Sequence, residues 1–129
     1  MNLLYVFLGG GLGSVCRYSL TKLVPYAGSG FPWATFAANL LACALLGLGL
    51  AFAIGTRPGG GWSSGARLLI LTGFCGGFST FSTFSAETLE LVRNGEIGMA
   101  AAYVSLSLLL GGAAVWGFLV VGGWVVSGR

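Results

Sequence analysis

Charged residues divide the chain into long uninterrupted apolar stretches. No charged residue occurs for 34 positions after Lys22, for 19 positions after Arg67 or for 32 positions after Glu96. A further apolar stretch opens the chain and leads up to Arg17. About 20 apolar residues are enough for a helix to cross a bilayer. The pattern therefore predicts four membrane-spanning helices, over residues 2–22, 32–54, 66–92 and 98–126.

The segments between these helices are short and rich in glycine and proline, as connections are. They leave no room for a soluble domain, so residues 1–129 are predicted to form a single transmembrane domain. The first apolar stretch does not resemble a cleavable signal peptide, because its basic residues follow the stretch instead of preceding it.

Composition agrees with an all-helical membrane protein. Only 7% of the residues are charged and 56% are apolar, whereas about 25% of a soluble domain is charged. The chain has no histidine and no aspartate, so most acid–base pairs and the Ser-His-Asp triad cannot be built, which disfavours an enzyme. The few basic residues are scattered, unlike the clustered bases of a nucleic-acid-binding surface. Three widely spaced cysteines favour a packing role over a disulfide or zinc site.

The distribution of basic residues gives little bias in orientation. Arg57, Arg67 and Arg129 fall on the side of the termini, against Lys22 and Arg93 on the other side. Lysine and arginine near the ends of spans normally set the orientation. A bias this small is compatible with insertion both ways up, and with an antiparallel pair of subunits. The alternative is that the small excess still orients the protein.

The third span is unusual because a glycine pair is followed by alternating Ser, Thr and Phe. This run, from Gly76 to Ser85, has poor helix propensity and predicts a broken helix. Irregular backbone inside a membrane is tolerated where it is buried in protein or lines a cavity, and its free carbonyls can coordinate a cation. Phe81 and Phe84 are three residues apart and share a helical face, which Phe78 would extend. Aromatic ring edges are electropositive, so such a pair tolerates an anion, although phenylalanines in a span are more often packing or lipid-facing residues.

The other polar residues inside the spans are few and neutral. Asn39 lies one helical turn after Thr35, and Tyr103 and Ser107 share a face of the fourth span. Amide and hydroxyl donors, with no acid before Glu87, suit a small anion better than a cation.

The third-span run, from Gly76 through Ser85 to Glu87, closely resembles the signature of the Fluc, or CrcB-type, fluoride channels. The glycines before Arg17, the Thr35–Asn39 pair and the Tyr103–Ser107 pair also match that family. The resemblance covers all four spans.

The resemblance implies an antiparallel, dual-topology homodimer in the cell membrane that conducts fluoride passively out of the cell along the subunit interface. It implies that Asn39 donates to fluoride, that Phe81 and Phe84 meet fluoride edge-on, and that Tyr103, Ser107 and Thr83 lie along the pathway. It also implies a structural Na⁺ bound by the main-chain carbonyls of Gly76 and Ser79. Glu87 would lie near the pathway, and Arg17 would be structural or would keep the entrance positive. The residues matched are Arg17, Asn39, Gly76, Ser79, Phe81, Thr83, Phe84, Glu87, Tyr103 and Ser107.

Two other functions remain open at this point. A small dual-topology exporter coupled to protons needs a titratable carboxylate in the membrane, and Glu87 is the candidate. A non-conducting scaffold subunit would move no ions.

Overall fold

The structure, a computed structural model, describes residues 1–26, 30–55 and 62–128. Within these ranges the regular secondary structure is helical throughout. Arg57 and Arg129, two of the residues in the charge comparison, lie outside the described ranges. The helices are α1 (Asn2–Leu23), α2 (Trp33–Gly55), α3 (three joined segments, Ser64–Arg67, Leu68–Phe74 and Cys75–Phe78), α4 (Phe81–Arg93) and α5 (Ile97–Ser127).

Four stretches are long and apolar enough to cross a membrane, and α3 and α4 together make the third of them. These stretches are Asn2–Leu23, Trp33–Ile54, Ser64–Arg93 and Ile97–Ser127. The prediction of four membrane-spanning helices is confirmed, and so is the interruption of the third.

The interruption falls at Ser79 and Thr80, just after the glycine pair. Both residues are extended, with φ and ψ of −75° and 157° at Ser79 and of −150° and 116° at Thr80. Gly76 and Gly77 themselves remain helical in the last turn of α3. Helix α4 then restarts with Thr80 as its N-cap, whose hydroxyl accepts a hydrogen bond from the Thr83 N–H at 3.2 Å.

The middle of α3 is wound as a π-helix over Leu68–Phe74. Directly after it, the Cys75 N–H bonds to the carbonyl of Ile70, five residues back. The wider turn occurs where α3 is packed against α1, on the approach to the interruption.

Glycines let α1 and α3 approach to backbone contact. A Cβ on Gly13 would overlap the carbonyl oxygen of Phe74 and lie 2.7 Å from the Phe78 nitrogen. A Cβ on Gly77 would likewise overlap the Gly10 carbonyl oxygen. Such contacts are a common way for membrane helices to associate, because lipid supplies no hydrophobic force between them.

Helices α2 and α5 form the second close pair. A Cβ on Gly122 of α5 would lie 2.6 Å from Cβ of Ala51 on α2, so small residues again set the spacing. Much apolar surface stays uncovered: Leu3 is 86% exposed and Trp116 is 70% exposed. In a bilayer this surface faces lipid or another subunit.

The close approach of α1 and α3 predicts that Gly13→Ala destabilises the protein. Overpacking a tight contact costs about 1–3 kcal/mol, which would lower the thermal unfolding midpoint in detergent. Gly11→Ala is the matched control on the same helix, because nothing lies within 4 Å of the added Cβ. Equal midpoints for the two variants would contradict the packing described here.

Candidate functional site

The side chain of Asn39 pairs with the backbone of Thr80 at the interruption. Its Oδ1 accepts the Thr80 N–H at 2.7 Å, and its Nδ2 donates to the Thr80 carbonyl at 3.3 Å. The side-chain oxygen thus satisfies the Thr80 N–H, which has no helical partner, and the side-chain nitrogen adds a bond to the Thr80 carbonyl, which as the N-cap carbonyl already belongs to α4. Thr80 uses one of the two amide hydrogens of Asn39, which leaves a second N–H to donate.

Because of the interruption, two carbonyls at the end of α3 lack their usual helical hydrogen bonds. In a continuous helix the Thr80 N–H would bond to the Gly76 carbonyl, but it bonds to Asn39 instead. The Thr83 N–H would bond to the Ser79 carbonyl, but it bonds to the Thr80 hydroxyl. The carbonyls of Gly76 and Ser79 are therefore free of these helical bonds, as a backbone-coordinated cation requires.

A cavity of about 230 Å³ opens beside the interruption. It lies between α2, the start of α4 and α5, and Asn39 forms part of its wall. No carboxylate is among the described residues that line it, which are Asn39, Cys43, Ser79, Thr80, Phe81, Phe84, Ser107 and Leu108. Its lining is neutral, with amide, hydroxyl and thiol groups set among apolar ones.

Two phenylalanine rings form one wall of this cavity. The centroids of Phe81 and Phe84 are 6.0 Å apart with their planes tilted by 37°. Phe81 is 80% exposed, whereas Phe84 packs against Tyr103. The expectation that Phe78 extends this row is wrong, because the chain turns after it and its ring is buried in the core with Ala38 and Ala42.

The Ser107 hydroxyl on the opposite wall has no hydrogen-bond partner within the described part of the chain, although its oxygen is buried. Buried hydroxyls are nearly always hydrogen-bonded, so a group of this kind points to a ligand or water in the cavity. Ser107 lies on α5, facing the cavity that Asn39 lines from α2.

A second polar cluster surrounds Glu87, which is buried in α4. The Thr35 hydroxyl donates to its Oε1 and the Tyr103 hydroxyl donates to its Oε2, each at 2.8 Å. Tyr103 is fully buried, and its ring stands 4.9 Å from that of Phe84 between centroids. This ring contact links the cluster to the cavity wall.

The hydroxyl of Tyr26 is also buried, and it too has no partner within the described ranges. Burial raises the pKa of Tyr26, and the carboxylates of Glu90 and then Glu87 raise it further. Tyr26 therefore stays a neutral hydroxyl in the connection between α1 and α2.

Comparison with known proteins decides the family. The sequence model of the family described as "CrcB-like protein, Camphor Resistance (CrcB)" matches residues 4–119. The chain belongs to the CrcB family.

Three relatives of this CrcB chain have the same name. A protein of Chlorobaculum tepidum is 49% identical over 89% of each chain. One of Acidobacterium capsulatum is 41% identical over 98% of this chain and all of its own length. One of Thermus thermophilus is 47% identical over 84% of each chain. Each of these relatives is named fluoride-specific ion channel FluC.

The residues that the sequence singled out in this CrcB chain occupy three places. Asn39, Ser79, Phe81, Phe84 and Ser107 line the cavity. Tyr103 and Glu87 form the neighbouring buried cluster. The remaining residues lie around the interruption without lining the cavity. Thr83 bonds to the capping hydroxyl, Gly76 lies in the last turn of α3, and Arg17 contacts α3 from α1.

Sequence reasoning missed Cys43, Thr80 and Leu108 in the cavity wall. Cys43 was interpreted only as a packing residue. Its spacing from Asn39, one helical turn along the same face, was the available signal. Thr80 gave no comparable signal, because its N-cap role depends on where the helix stops.

Proposed function

We propose that this CrcB chain is a fluoride channel that lets fluoride leave the cell passively and so lowers its cytoplasmic concentration. The observation that carries the proposal is the neutral cavity at the interruption. The Asn39 amide lines it together with the Ser107 hydroxyl, which has no hydrogen-bond partner among the residues that the structure describes. The names of the relatives point to the same ion. The proton-coupled exporter has no support among these relatives.

Fluoride would exchange part of its hydration shell for protein groups as it passes through the cavity. The second amide N–H of Asn39 and the Ser107 hydroxyl would replace part of the lost hydration. The ring edges of Phe81 and Phe84 would add weak positive contacts that do not hold the ion for long. Binding that is favourable but weak is what conduction requires.

The described lining of the cavity holds no carboxylate that would repel an anion. Glu87 stands behind the wall, where Thr35 and Tyr103 occupy its two carboxylate oxygens. Thr35 and Tyr103 therefore hold the Glu87 carboxyl group in the cluster behind the wall, and it is not among the groups that line the cavity. An interior-negative membrane potential would drive fluoride outward along such a path without a coupled ion.

The channel would be an antiparallel, dual-topology homodimer in the plasma membrane. Phe81 lines the cavity and yet is 80% exposed on the single chain, so a second copy would complete the pathway. The weak charge bias of the sequence supports insertion in both orientations. Small residues on the exposed side of α5, such as Gly112, allow close helix contacts between subunits.

A structural Na⁺ would be held where the two copies meet. The carbonyls of Gly76 and Ser79 from each subunit would bind it, since both have lost helical partners to Asn39 and Thr80. Gly76 is exposed, and nothing lies within 4 Å of a Cβ built on it. When bound, the ion would supply positive charge to four carbonyl dipoles and stabilise the dimer.

Replacing Phe81 with isoleucine should reduce fluoride efflux from liposomes by about tenfold or more, because an aliphatic side chain has no electropositive edge. A fluoride electrode measures the release once a potassium ionophore balances the charge. Phe7→Ile is the matched control, since Phe7 is 75% exposed on α1, away from the cavity, and its flux should equal that of the unmodified protein.

Two results would count against the channel. Full flux in Phe81→Ile would remove the aromatic wall from the mechanism. Absence of fluoride release from the unmodified protein would favour the scaffold function instead.

Removing sodium should weaken the dimer. We expect light scattering coupled to gel filtration to show dimers in sodium chloride and a larger monomer fraction after exchange into N-methylglucamine chloride at equal ionic strength. The physical reason is repulsion among free carbonyl dipoles once the ion is lost. An unchanged dimer fraction at limiting protein concentration would contradict a stabilising role for the sodium ion.

A further inference from the structure

Arg17 lies inside the first membrane span, six residues before α1 ends at Leu23. A cation at such a position is normally paired with a carboxylate or with backbone carbonyls. The guanidinium Nε of Arg17 donates to the carbonyl of Gly77 at 3.2 Å. Within residues 1–26, 30–55 and 62–128, no carboxylate forms an ion pair with it.

The Gly77 carbonyl is one of those that the interruption leaves without a helical partner. In a continuous helix it would accept the N–H of Phe81, which lies beyond the extended residues Ser79 and Thr80. Arg17 supplies the missing donor, and the Ser14 hydroxyl makes a second, longer bond to the same oxygen at 3.4 Å. Two side chains of α1 thus replace one backbone hydrogen bond of the third span.

The glycines of α1 and α3 make this exchange possible. Gly77 packs directly on the backbone of Gly10, and Gly13 packs on the last turn of α3. Arg17 follows Gly13 by one helical turn, which places it over the end of α3.

We propose that Arg17 is a positioning residue that holds the end of α3 at the interruption through its Nε–H, and that its charge is not what the channel needs. The bond fixes one side of the interruption, while Asn39 fixes the other side through Thr80. Together these two contacts set the distance between the side-chain amide of Asn39 and the ring of Phe81. The inference rests on the proposed function, because its readout is the selectivity of the cavity.

Three variants separate the hydrogen bond from the charge. In Arg17→Gln the amide nitrogen lies the same number of bonds from Cα as Nε, so the donor is kept and the charge removed. Arg17→Lys keeps the charge and moves the donor one bond further out. Arg17→Met removes both. Arg93→Met is the control, since Arg93 is an exposed cation at the end of α4.

The measurement is fluoride and chloride efflux from liposomes, with gel filtration to select folded protein. We expect Arg17→Met and Arg17→Lys to lower the ratio of fluoride to chloride flux by about tenfold, the scale on which one lost hydrogen bond acts. Arg17→Gln should restore the ratio, and Arg93→Met should leave it unchanged. If Arg17→Met does not fold, the comparison of Arg17→Gln with Arg17→Lys still shows whether the hydrogen bond or the charge is required.

Several results would overturn the inference. A normal ratio in Arg17→Lys together with a low ratio in Arg17→Gln would show that the charge is required. Equal ratios in those two variants, or a normal ratio in Arg17→Met, would show that the bond to Gly77 does not position the cavity. Absence of fluoride flux in the unmodified protein would instead overturn the proposed function, and this inference with it.

Discussion

The pairing between the Asn39 side chain and the backbone of Thr80 is the contact on which the rest of the site depends. A membrane has no water to satisfy an N–H and a carbonyl that leave a helix, so a span can be interrupted only where other groups replace those bonds. Asn39 replaces the helical partner of the Thr80 N–H and also donates to the Thr80 carbonyl, which starts the bonding of α4. This replacement sets the positions of the free carbonyls of Gly76 and Ser79 before Thr80 and of the rings of Phe81 and Phe84 after it.

Small residues make the interruption compact. The glycines of α1 and α3 bring two backbones into contact, and Arg17 and Ser14 then reach the carbonyl of Gly77. On the other side, Glu87 accepts hydrogen bonds from Thr35 and Tyr103, which ties α4 to α2 and α5. None of these contacts puts a charged group into the cavity, whose described wall has a few neutral polar groups among apolar ones.

The sequence predicts the four spans well because hydropathy and charge act over some 20 residues at once. The composition of the third span also predicts that its helix is interrupted, but it does not predict at which residue. The glycine pair stays helical, with Gly77 packed against α1, and α3 ends one residue later at Phe78. Asn39 and the Thr80 hydroxyl supply replacement bonds at the break that follows. Those bonds join residues far apart in the chain, and local propensity does not contain them. The same limit explains why helical spacing groups Phe78 with Phe81 although Phe78 is buried in the core.

Substituting Asn39 with leucine tests the central claim most directly, because leucine has nearly the same shape and removes both bonds to Thr80. The measurement is fluoride efflux from liposomes that hold equal amounts of folded variant and unmodified protein. From this claim we expect the unmodified protein to release fluoride and Asn39→Leu to release it at least about tenfold more slowly, because one or two hydrogen bonds are lost. An unchanged rate in Asn39→Leu would contradict it.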